Sequence, residues 1–221
     1  MAIDIKLIKL MLDEFRVDIH SSGLQRQCLS LGYPDIIIPD DQLDFATGER
    51  LSVEVDKASA LFSVLGYNVT YIDVKRLRGC EEEVDLNLPL PKNYRRRFDL
   101  TFDTGTLEHC FNYSQAFSNM LDTLTIGGRL LSVAPVTMVN HGFFNVCPTL
   151  YASALIENGY DIDFLYLRTF EGERSKFVDI LEKAHTRVRL PAETALVCSA
   201  RRVSFVDFSF PIQEKYKALL G

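Results

Sequence analysis

Apolar residues recur along this chain in two rhythms, and the clearest passage holds both. Residues 98–103, FDLTFD, alternate as a strand does and end on an acid, Asp103. TGTLEH follows, where a strand should give way to a helix. Residues 112–124 place Phe117, Met120, Leu121 and Leu124 at helical spacing, and Gly127-Gly128 reads as the helix stop before a buried strand over 129–134. Upstream, residues 3–15 form an amphipathic helix pattern, and QCLSL (27–31) a short buried strand closed by Gly32. The run Ile36-Ile37-Ile38 lies between Pro34 and Pro39, which leaves loop and edge strand both open. Residues 55–65 predict a helix with Ala58, Leu61, Val64 and Leu65 on one face, closed by Gly66. NVTYID (68–73) predicts a strand ending in Asp73, and VDLNLPLP (84–91) a turn-rich connection. Downstream, residues 148–157 predict a helix with Pro148 in its first turn and Gly159 after its end. Two late strands, 160–169 and 193–203, flank a charged stretch that reads as helical.

Strands alternating with helices imply an α/β fold with a largely parallel sheet covered on both faces, and the late strands imply an antiparallel pair at one edge. In such open sheets ligands bind beyond the carboxyl ends of the strands. Asp103, Thr104 and His109 therefore fall on the functional edge.

Composition changes the picture mainly by exclusion. The 221 residues read as one domain, with an N-terminal helical extension over 1–23 and the main body over 24–221. A net charge of −6 argues against a broad nucleic-acid surface, and Arg95-Arg96-Arg97 reads as a solvated loop. The five cysteines form no C-x-x-C pair, and Cys28, Cys110 and Cys198 sit in apolar surroundings typical of buried thiols. This argues for a reducing, cytoplasmic setting and against a disulfide framework or zinc site, and no metal is expected. The N-terminal segment is too charged for a signal peptide, and no apolar run reaches the length of a membrane span.

With these residues in this order, the chain resembles the class I S-adenosylmethionine-dependent methyltransferases. FDLTFDTGTLEH is similar to that family's fourth strand and following loop, including the Leu107-Glu108-His109 triplet. Residues 124–135, LTIGGRLLSVAP, are similar to its "LKPGG" turn and fifth strand, with Thr125-Ile126 in place of Lys-Pro. Asp73 stands where the second strand ends in an acid, and Asp85 where an acid after the third strand faces the adenine. The resemblance covers about residues 24–203. It departs from the family at the first loop, where a single glycine, Gly32, is followed by Tyr33 and Pro34, and the chain up to Asp73 is longer than usual. A one-glycine first loop paired with NHGFF (140–144) is similar to bacterial members associated with surface-polysaccharide sugars.

The resemblance implies a Rossmann-like three-layer sandwich with a mostly parallel seven-stranded sheet and an antiparallel edge pair. It implies S-adenosyl-L-methionine as cofactor, in-line methyl transfer to O or N, and a small-molecule or sugar acceptor. The residues implied at the cofactor are Gly32, Asp73, Asp85 (with Asn87 in reserve), Leu86, Asp103 and Thr104. Asp73 would accept the ribose hydroxyls and Asp85 the adenine amino group, while Asp103 also suits an Asx turn onto Gly105 and Thr106. His141 and His109 are the candidate bases, His141 in the more accessible setting; His20 and His185 are poorer candidates. Asn140, Phe143 and Phe144 are the candidate substrate contacts. Oligomeric state is open, with a homodimer among the options. An inactive methyltransferase-like binding or scaffold domain is the main alternative. A nicotinamide-dependent oxidoreductase is disfavoured, because a pyrophosphate needs G-x-G-x-x-G and Gly32 stands alone.

Overall fold

The computed structural model describes residues 3–17, 25–39, 43–44, 47–48, 56–171 and 174–217. His20, Val55 and part of the expected N-terminal extension lie outside the described residues. The first helix, α1 (Ile5–Phe15), starts where the Asp4 carboxylate accepts the amides of Lys6 and Leu7 at 3.2 and 3.1 Å. Strand β1 (Arg26–Leu31) leads through a long connection to α2 (Lys57–Val64), which Asp56 caps through the Ser59 amide. Then follow β2 (Tyr67–Asp73), the two-residue β3 (Glu82–Glu83), and β4 (Phe98–Thr104). Helix α3 (Tyr113–Leu121) precedes β5 (Leu124–Pro135), and α4 (Pro148–Glu157) precedes β6 (Tyr160–Glu171). Strands β7 (Arg174–Asp179) and β8 (Thr194–Arg202) and the short helix α5 (Glu214–Lys217) complete the order.

The strands form one sheet in the order β3-β2-β1-β4-β5-β8-β6-β7. The first five neighbours in that order pair in parallel. Strand β8 runs antiparallel between β5 and β6, and β7 pairs antiparallel with β6 at the edge. Each strand feeds both faces, as a two-residue period requires. On β5, Leu130 and Ala134 pack with α3 and α4 residues such as Phe117, Met120, Tyr151 and Leu155. Leu131 and Val133 pack with Leu7, Met11, Leu61 and Phe62 of α1 and α2 on the other face. The α/β sandwich expected from the resemblance is present, with eight strands in place of seven.

Three local expectations are corrected. The charged stretch after β6, which the sequence presents as helical, is strand β7 followed by a 3-10 turn at Leu181–Lys183. Its charges suit an edge strand, whose outer side is solvated. Helix α3 ends at Leu121, earlier than the pattern implies, because Thr123 turns its hydroxyl onto the Met120 carbonyl (2.7 Å) and Leu124 already belongs to β5. Gly127-Gly128 therefore lies inside the strand, at a register shift between Phe98 and Leu100. Gly127 has φ +80°, and a Cβ on Gly128 would stand 2.9 Å from the Phe98 carbonyl oxygen, so the pair permits a close backbone crossing at a bulge. Finally, Ile36 contributes an isolated bridge to Ile3, between the loop and edge-strand alternatives.

Candidate functional site

The parallel register sets the carboxyl ends of β1, β2 and β4 side by side: Leu31 pairs with Ile72 on one side and Asp103 on the other. The next residues, Gly32, Asp73 and Thr104, line one open cleft of about 470 Å³. Its walls continue through Tyr33 and Asp35, through Val84 to Asn87, and through Thr106, His109 and Cys110. That volume lies in the range of small-molecule sites. Asp73 is half-buried, with Oδ1 held by the Val74 amide at 2.7 Å. Asp85 is exposed and accepts both the backbone amide and the side-chain amide of Asn87, at 2.9 and 2.8 Å. Leu86 and Val84 are buried and give this wall an apolar lining.

The one-glycine loop is tightly specified. Gly32 has φ +75°, and a Cβ there would collide with the Thr106 hydroxyl. That hydroxyl donates to the Leu31 carbonyl at 2.6 Å, so the loops after β1 and β4 are tied together at this point. Tyr33 donates its hydroxyl to Asp56, its ring lies 4.9 Å from that of Tyr71, and the Arg78 guanidinium sits 4.3 Å over it. Arg78 also pairs with Asp35. Tyr33 thus builds a side wall rather than filling the floor.

Of the residues implied at the cofactor, Asp103 lies beneath the cleft rather than on its lining. It is fully buried and does not line the cleft; Oδ1 accepts the Thr106 amide at 3.0 Å and Oδ2 the Ser132 hydroxyl at 2.9 Å. Burial raises its pKa, opposed by these bonds. These bonds brace the loop as the Asx-turn alternative describes, made through Thr106. Thr104 is buried and does line the cleft.

The two candidate bases meet. His109, on the 3-10 turn Leu107–His109, and His141, after β5, have ring centroids 5.5 Å apart. Between them lies Glu108, which sequence reasoning had treated only as part of a triplet. Its side chain is 0% exposed, yet neither carboxylate oxygen has a hydrogen-bond partner among the described residues. Oε1 lies 3.4 Å from Nε2 of His141 and 4.0 Å from Nε2 of His109. Burial pushes the Glu108 carboxyl well above the usual range, and the Asp103 charge adds to this. Partial burial lowers both histidines below the ordinary imidazole value.

The NHGFF segment is docked onto this residue by its backbone. The amides of Phe143 and Phe144 donate to the Glu108 carbonyl at 2.8 and 3.3 Å, and a Cβ on Gly142 would stand 2.8 Å from Glu108 Cγ. Asn140, with φ +64°, fills the left-handed position of a turn closed by the His141 amide on the Met138 carbonyl (3.3 Å). Phe143 is exposed and meets Phe111 edge-on at 5.7 Å. Phe144 instead lines a second, apolar cavity of about 450 Å³ with Tyr113 and Phe117. Asn119 was also missed: its side chain accepts the Leu90 amide (3.0 Å) and donates to the carbonyls of Leu86 (3.0 Å) and Leu88 (2.8 Å). A buried polar residue on the inner face of a predicted helix was the only signal.

Among the solved structures with a similar fold are two methyltransferases. The N-methyltransferase NodS from Bradyrhizobium japonicum WM9, in complex with S-adenosyl-L-homocysteine, aligns with a TM-score of 0.50 and 16% identity, over 88% of this chain and 83% of that one. A putative S-adenosylmethionine dependent methyltransferase from Listeria monocytogenes aligns with a TM-score of 0.50 and 13% identity, over 89% of this chain and 98% of that one. No protein-family model and no curated protein matches the chain. The likeness establishes the fold alone: a Rossmann-like three-layer α/β sandwich, shared with those two methyltransferase structures. Among the described residues, no helix is long and apolar enough to cross a membrane. Because one fold hosts many chemistries, the reaction has to be argued from the site.

Proposed function

We propose that the protein is an S-adenosylmethionine-dependent methyltransferase acting on a hydroxyl or amine of a small molecule or sugar. The observation that carries this reading is the cleft beyond β1, β2 and β4, lined by the carboxylates of Asp35, Asp73 and Asp85. An acidic lining favours a cationic ligand over a phosphate-bearing one. Gly32 supports the same choice, because residues 33–35 after it carry no helix whose N-terminus would seat a pyrophosphate. S-adenosylmethionine supplies an activated methyl group when bound. Asp73 fits its ribose diol, Asp85 its adenine amino group, and Val84 and Leu86 the face of the ring. Gly32 and Thr104 bring main chain close to the remaining end. For the acceptor, the exposed Phe111–Phe143 pair offers an aromatic face, and His109 and His141 offer imidazole bases beside it.

Calorimetric titration tests the reading. S-adenosylmethionine should bind saturably and NAD⁺ should not. Asp73→Asn should weaken binding about ten-fold or more, in line with loss of a hydrogen bond to a charged group worth about 1.5–3 kcal/mol, with an unchanged melting temperature. No detectable heat at millimolar S-adenosylmethionine would sink the reading and favour the scaffold alternative.

A further inference from the structure

We propose that Glu108, His109 and His141 form a binding site for one divalent transition-metal ion, of the Zn²⁺, Mn²⁺ or Co²⁺ kind, at the wall of the cleft. Three observations carry it. First, the ligand atoms of these residues all lie within 4.8 Å of one another, with Glu108 Oε1 3.4 Å from His141 and 4.0 Å from His109. Ligand atoms on one such ion stand about 3–3.5 Å apart, since the bonds are near 2.1 Å. Small side-chain rotations close that difference. Second, Glu108 is wholly buried and, among the described residues, both of its oxygens lack a hydrogen-bond partner. Burying a carboxylate in that state is costly, and an orphaned group of this kind calls for an ion or a chemical task. Third, the donors are preorganised from two loops. The Phe143 and Phe144 amides clamp the Glu108 carbonyl, and Gly142 supplies the clearance that lets His141 approach.

Two imidazoles and one carboxylate make a donor set that suits transition metals rather than Mg²⁺ or Ca²⁺, and it leaves coordination positions open. The His109 and His141 side chains are 51% and 33% exposed, so those positions are reachable from solvent. His109 also lines the cofactor cleft. On the methyltransferase reading, on which this further step rests, the open positions would take an oxygen of the acceptor. They would orient it and ease loss of its proton to solvent, the role otherwise left to a free histidine. The acceptor class then narrows to molecules with a metal-ligating oxygen, such as a sugar hydroxyl.

The test uses metal-free full-length protein titrated with Co²⁺ and Zn²⁺ by calorimetry, with Co²⁺ followed by visible absorption. One ion should bind per chain. His109→Gln and His141→Gln should each weaken binding at least ten-fold and abolish the Co²⁺ spectrum, while His185→Gln should leave both unchanged. His109 is half-exposed, so its variant reports even if Glu108→Gln fails to fold. Saturable metal binding that persists undiminished in both histidine variants, or no one-to-one binding at all, overturns the site. S-adenosylmethionine titrated in parallel separates the two readings: cofactor binding without metal binding refutes only the metal, and the reverse refutes only the methyltransferase.

Discussion

Gly32 is the residue on which the cleft turns. Its φ of +75° and the Thr106 hydroxyl packed where a Cβ would go give two independent reasons for glycine. Gly32→Ala should therefore destabilise the protein by at least about 1–2 kcal/mol from the left-handed backbone alone. It should also displace Thr106, which ties the β1 and β4 loops. A fall in melting temperature together with weaker S-adenosylmethionine binding is expected; a substitution that changes neither would show that the loop is looser than this geometry. At the same scale, the two histidines chosen from sequence are neighbours in space, and the residue that joins them is Glu108. No local pattern distinguishes a buried, unpartnered glutamate from a solvated one, because its burial is created by chain from beyond β5.

Among the elements, α3 does more than cover the sheet. Through Asn119 it holds three backbone groups of the segment from Leu86 to Leu90, which continues directly from Asp85 in the cleft wall. Gln115 supports Asn119 in turn, donating to its Oδ1 at 2.9 Å. Asn119→Ala leaves those groups without partners. At about 1 kcal/mol per bond the expected loss is about 3 kcal/mol, read from chemical denaturation, with cofactor affinity falling as the wall loosens. Retained stability with lost affinity would mean that the wall is ordered only by ligand. Asp103 shows the complementary case: an acid at a strand end that looks like a ligand is spent inward on Thr106 and Ser132.

For the whole molecule, the two faces of the sheet are covered by separate apolar clusters, and α1 belongs to one of them. Leu7, Ile8 and Met11 pack with α2, β4 and β8 residues such as Phe62, Leu100 and Val197. Helix α1 is thus part of the core, although the sequence presents it as an extension. Met11→Ala should cost about 2–5 kcal/mol, the range for truncating a buried large side chain, measured by urea unfolding. A change under 1 kcal/mol would show that α1 packs as a detachable appendage.

The sequence by itself determined the rhythm of strands and helices, the acids at strand ends, and the buried thiols Cys28, Cys110 and Cys198. These follow from local periodicity and from side chains whose fate depends on immediate neighbours. It misplaced Gly127-Gly128 and read β7 as helix, because glycines serve stops and bulges alike and a charged edge strand offers a single core-facing residue, Phe177, too little to show a two-residue period. Only the tertiary structure decided which acids face the cleft, where β8 enters the sheet, and that Glu108 stands between two histidines. Those outcomes depend on contacts between segments tens of residues apart, where backbone clearance and lost solvent, rather than sequence spacing, set what each side chain meets.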